Sequence, residues 1–177
     1  MSIDRDTQYT YTAIVIHWVS AVLIFAMFAI GWYMVDLPRG PERSSNFALH
    51  KSIGLTIFFL ALLRAVWRYF HRPPPYSQLP KWRITLARSA HLLFYVVLVV
   101  QPTSGYLSSS FSGYKTKLFG IALPHWGWRD APLNEFFTEI HVLSSVLFLG
   151  LIVAHLAGAL SHAVSREDGV LRRIRPW

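Results

Sequence analysis

The sequence predicts an all-α fold, an up-down bundle of four helices that cross a membrane. Three observations predict it. The 177 residues are 53% hydrophobic and include only nine acids, too apolar a balance for an ordinary soluble domain. Four apolar stretches are each long enough to cross ~30 Å of hydrocarbon, where an unsolvated backbone must be helical. The connections between them alternate in basic content, as the loops of a multi-pass chain do.

The first stretch runs from about Ala13 to Val35. It is too long for a cleaved signal peptide, and its leader sets Asp4 and Asp6 beside a single Arg5, so it is expected to be retained. Pro38, Gly40 and Pro41 break the chain before the second, Phe47 to Phe70. Pro73, Pro74, Pro75 and Pro80 make the next connection stiff and non-helical. The third stretch, Ala90 to Ser109, contains Pro102 and should kink there. From Phe111 to Leu133 the chain mixes Trp126, Trp128, Phe119 and Tyr114 with lysines, glycines and prolines, which reads as a partly apolar lid on the membrane surface. The fourth stretch is Phe136 to Val164. No connection is long enough for a second domain, so residues 1–177 are expected to form one integral-membrane domain.

Arg68, Arg72, Lys81, Arg83, Arg88, Arg166, Arg172, Arg173 and Arg175 gather between stretches two and three and at the C-terminus. That excess predicts that this side is cytoplasmic, and both termini with it. Asp36, Glu42, Asp130, Glu135 and Glu139 all fall on the opposite, outer side. The net charge of +8 is thus a matter of topology, and no nucleic-acid partner is implied. Cysteine is absent, which excludes thiolate-held iron–sulfur clusters, c-type haem attachment and disulfides.

Histidines carry the functional signal. His141 and His155 are fourteen residues apart on the fourth stretch; at ~100° and ~1.5 Å per residue they share a face about 21 Å apart. His17 begins the first stretch at the inner level of His155, and His50 begins the second at the outer level of His141. Two pairs at matched depths follow, His17 with His155 and His50 with His141. Each can clamp the two axial positions of one haem iron, with the second ring nitrogen fixing the tautomer through a carbonyl. The plainer reading of any one intramembrane histidine is an interhelical hydrogen bond. The spans lack the acids a di-iron site needs, and pairs do not supply the three or four ligands of zinc.

Gly54 near His50 and Gly158 near His155 would let a porphyrin approach the backbone; Gly105 and Gly150 are weaker cases. Arg64, fourteen residues after His50, reaches the inner level, where a haem propionate or the lipid headgroups could pair with it. Lys51, Lys115 and Lys117 form either a cationic rim at the outer haem, able to steer an anion, or ordinary headgroup contacts. His162, two turns beyond His155, and His91, at the start of the third stretch, lie too near the water to hold a third haem; with Arg88 a turn before His91 they are placed to hydrogen-bond or protonate a quinone beside the inner haem, or are interfacial histidines without special chemistry. His71 and His125 read as structural.

At these residues the chain resembles the prokaryotic cytochrome b561 family of di-haem four-helix membrane proteins. The resemblance is carried by Ile16-His17-Trp18, His50 with Gly54, Arg64 to Arg68, His91, Phe119-Gly120-Ile121-Ala122-Leu123-Pro124, His141, His155, His162 and the closing Asp168-Gly169-Val170-Leu171-Arg172-Arg173. It implies two b haems (protohaem IX) on the same histidine pairs and electron exchange with the ubiquinone pool. One relative is a superoxide oxidase, whose quinone-side histidines correspond to His91 and His162. The expected function is therefore electron transfer from a small outer donor, superoxide foremost, to ubiquinone. The alternatives are a haem b anchor for a hydrogenase- or formate-dehydrogenase-like complex, with a protein partner on the outer face, and a haem-binding module without turnover.

Overall fold

The computed structural model describes residues 8–72, 80–164 and 170–174. Four long helices dominate it: α1 Tyr11–Asp36, α2 Pro41–Phe70, α3 Lys81–Phe111 and α4 Ala131–Val164. Each is long and apolar enough to cross a membrane, and together they form the up-down bundle of a multi-pass membrane protein. Local chemistry sets the starts. The Thr10 hydroxyl accepts from Ala13 N at 3.4 Å, Pro41 supplies the first residue of α2, and an Asp130 carboxylate oxygen accepts from Leu133 N at 3.0 Å.

The helices overrun the apolar stretches that announce them. The largest difference lies in α3, which begins at Lys81 rather than Ala90, because a helix continues into the headgroup region where amphipathic residues suffice. Pro73, Pro74, Pro75, Arg166, Arg175 and the Asp168-Gly169 start of the closing motif lie outside the described residues.

The side chains are arranged inside out. Val22, Phe59, Leu92, Val146 and Leu160 point outward, while Ser20, Ser52, Ser104, Ser109, Ser110 and Ser144 are buried. With hydrocarbon as solvent, apolar side chains lose nothing by facing out, and small residues let the backbones approach. At mid-height, Ile57, Ala61, Val97, Leu98, Phe148 and Ile152 form an apolar core, joined from α1 by Leu23, Ile24, Met27 and Phe28. Phe148 lies seven residues from both His141 and His155, so this layer separates two polar levels.

Packing is closest within successive pairs, α1 on α2 and α3 on α4, with α2 also against α3. At one end the lid is a small β-hairpin, β1 Lys117–Leu118 paired antiparallel with β2 Ile121–Ala122. Its turn residues Phe119 and Gly120 have φ of 47° and 95°, the left-handed pair of a type I′ turn. At the other, terminal end, a 3₁₀ helix over Val170–Ile174 docks beside the start of α1, with Tyr9 N donating to Arg173 O at 3.1 Å and Trp18 Nε1 to Ile174 O at 3.0 Å.

Candidate functional site

At the lid end, His50 on α2 faces His141 on α4, ring centres 6.2 Å apart and planes at 74°. Both rings rest on glycines. A Cβ at Gly31 of α1 would lie 3.3 Å from His50 Cε1, and one at Gly105 of α3 would lie 2.9 Å from both Cε1 and Nδ1 of His141. The second distance is shorter than side-chain carbons tolerate, so Gly105 is required where this imidazole sits.

His141 is oriented by α3. Its Nδ1 donates to the Gln101 carbonyl at 2.8 Å, which leaves the lone pair on Nε2. The Gln101 carboxamide nitrogen approaches Nε2 at 3.3 Å, and its oxygen accepts from Ser144 Oγ. His50 has the complementary condition: Nδ1 and Nε2 are both buried and unpartnered. A buried polar atom without a partner is costly, and such orphans mark places where a bound group completes the bonding.

At the terminal end His155 has two imidazole neighbours, each more than 6 Å from it between ring centres. His155 on α4 lies 6.4 Å from His17 on α1, planes at 68°, and 6.3 Å from His91 on α3. Phe94 packs against His155 at 5.4 Å and Trp18 against His17 at 5.5 Å. Because α3 starts earlier than its apolar stretch, His91 sits well inside the helix beside His155. The expectation that it begins its span near the water is corrected accordingly. Arg64 lies within electrostatic reach of His17, His91 and His155. His162 is half-buried in the last turn of α4, two turns beyond His155.

These residues fit a haem at each level. Two imidazoles bound on opposite sides of one metal at about 2 Å per bond have ring centres about 6 Å apart. The 6.2 and 6.4 Å separations meet that figure. Both pairs also bridge α4 to helices it otherwise approaches sparsely, so each crosses between the two closely packed helical hairpins. Among the described residues no three His, Cys, Asp or Glu side chains converge as a single-ion site would need.

The hairpin closes over the lid-end pair through residues next to His50. Lys51 Nζ donates to Ser109 Oγ at 2.6 Å, Phe119 N donates to Ser52 Oγ at 2.9 Å, and Ser52 Oγ reaches Lys117 O at 3.2 Å. Lys51 is thus held under the lid, whereas Lys115, Lys117 and His125 are exposed. Of the four glycines singled out from sequence, Gly105 makes the closest approach to a histidine. Gly54 meets Met27 at 3.3 Å, and a Cβ at Gly150 or Gly158 would touch nothing within 4 Å. Sequence reasoning missed Gln101, Ser144 and Gly31. Gln101 carried a signal, being a carboxamide inside an apolar span.

A family model for prokaryotic cytochrome b561 matches residues 8–177. The chain is 30% identical to cytochrome b561 homolog 2 of Escherichia coli K12, over 97% of this chain and 93% of that protein. It is 22% identical to cytochrome b561 homolog 1 of the same organism, over 96% and 97% respectively.

Proposed function

The chain belongs to the prokaryotic cytochrome b561 family, membrane proteins that transfer electrons through haem b, and we propose that it oxidises superoxide at its lid face and reduces ubiquinone at its terminal face. The observation that carries this reading is the pair of histidine sandwiches, 6.2 and 6.4 Å between ring centres, on opposite sides of one apolar core. His50 with His141 and His17 with His155 would each hold one haem b, and Arg64 would pair with a propionate at the terminal level. When bound, the two haems would supply reversible one-electron storage.

The remaining tasks fall to the chain's own residues. Lys51, fixed under the lid by Ser109, holds a cation beside the lid-end pair and, with Lys115 and Lys117, raises the local concentration of a small anion. Two superoxides lose one electron each and leave as dioxygen. One ubiquinone takes both electrons and two protons. His91 and His162 donate hydrogen bonds to the quinone carbonyls and pass protons through their ring nitrogens. The basic excess at the terminal end supports placing that face, and both termini, on the cytoplasmic side of a bacterial inner membrane. The whole chain then acts as one integral-membrane domain.

Stopped-flow mixing of the oxidised protein with superoxide tests the reading. Rapid haem reduction that superoxide dismutase abolishes is expected. The exposed lid residues Phe119, Ile121 and Trp126, at 65, 70 and 75% exposure, favour a second reading, a protein donor docking there. Failure of superoxide to reduce the haems, with reduction by a copurifying dehydrogenase subunit, would establish that reading instead.

A further inference from the structure

We propose that the cleft at the terminal end, between the start of α1 and the end of α2, binds the phosphate group of an anionic phospholipid. Arg64, Arg68 and Arg72 succeed one another at four-residue intervals and all line it, with His71. Positive-inside topology accounts for basic residues at this end, but not for their convergence on one cleft. Like charges four apart on a helix repel, as Arg64 and Arg68 do on α2, and Arg72 just past its end adds a third cation. A haem propionate answers Arg64 in the proposed assignment, which leaves Arg68 and Arg72 to a second anion.

The described residues supply none. No carboxylate among them lines the cleft, and Asp36, Glu42, Asp130, Glu135 and Glu139 all stand at the lid end. Guanidinium groups present paired donors matched to phosphate oxygens. The walls are fixed before any ligand arrives. Trp67 Nε1 donates to Thr10 Oγ1 at 2.8 Å, the Trp67 and His71 rings stack at 4.0 Å, and Gln8 Nε2 donates to Arg172 O at 3.2 Å.

Depth selects a lipid as the phosphate's source. Tyr69 and Phe70, 79 and 72% exposed on the last turn of α2, mark the level of the interfacial aromatic belt. A basic pocket between helix ends at that level faces headgroups. Arg64 lies deepest and also serves the histidine cluster, so Arg68 and Arg72 are the residues to test. The inference does not depend on which donor or acceptor the haems use.

The test is native mass spectrometry of the delipidated, haem-loaded protein titrated with phosphatidylglycerol or phosphatidylcholine in detergent. The unaltered protein should prefer phosphatidylglycerol by about tenfold. Arg68→Gln with Arg72→Gln should abolish that preference with the haem spectrum intact, and each single variant should reduce it. Lys81→Gln with Arg83→Gln, at the same end but outside the cleft, should leave it unchanged. Inorganic phosphate that displaces the lipid at low millimolar concentration would keep the phosphate site and make its occupant the free anion. No preference in the unaltered protein, or equal loss in the Lys81/Arg83 variant, would overturn the proposal.

Discussion

His91 stands 6.3 Å from His155, ring centre to ring centre, almost the same separation as His17 at 6.4 Å. One imidazole of α4 therefore faces two partners, and only one can share its metal. In the proposed assignment His17 is the ligand and His91 serves the quinone. His91→Ala should then keep two haems while slowing their reoxidation by ubiquinone roughly tenfold or more, the low end for loss of an acid–base group. Loss of a haem in His91→Ala, with both retained in His17→Ala, would exchange the two roles.

Gly105 gives a steric prediction. A methyl group there would lie 2.9 Å from the His141 ring, and overpacking of this kind costs about 1–3 kcal/mol. Gly105→Ala should weaken retention of the lid-end haem and leave the other alone, as read by differential haem loss on heating. Gly158→Ala, where a Cβ touches nothing within 4 Å, is the matched control.

Phe148 links the two levels mechanically. Its ring packs against Phe28 and Phe94 with centres 6.0 Å apart in each case, and only 5% of it is exposed. Phe148→Ala should lower stability by roughly 3–5 kcal/mol, the usual cost of emptying a buried aromatic site. The thermal midpoint should fall for both haems together, because the cavity lies between them.

Superoxide steering predicts a salt dependence confined to one step. Reduction by superoxide should slow as ionic strength rises, since the Debye length shortens from ~10 Å at 0.1 M to ~3 Å at 1 M. Neutralising Lys51, Lys115 and Lys117 should slow it too and flatten the salt response. Ubiquinone is neutral, so its step should barely change. Equal salt sensitivity of both steps would remove the steering role.

The four helices and the two histidine levels were legible in the sequence because the 3.6-residue period and the bilayer thickness leave few choices for where His17, His50, His141 and His155 can lie. What lay hidden depended on interhelical register. The seats at Gly31 and Gly105 and the Gln101 carbonyl that orients His141 are contacts between residues 19 to 40 positions apart, and periodicity within a single helix says nothing of them. His91 was read too shallow because its helix starts in amphipathic sequence, where hydropathy gives no boundary. The lid was read only as a partly apolar segment on the membrane surface, and its hairpin rests on Phe119 in a left-handed conformation, which a non-glycine residue does not announce.

The most direct test of the account is haem stoichiometry in the four histidine variants, measured by pyridine haemochrome absorbance per chain with a redox titration of what remains. The unaltered protein should hold two low-spin b haems. His50→Ala or His141→Ala should lose one of them, and His17→Ala or His155→Ala the other, with complementary remaining potentials. Two haems in any of these variants, or a single haem in the unaltered protein, would contradict the assignment.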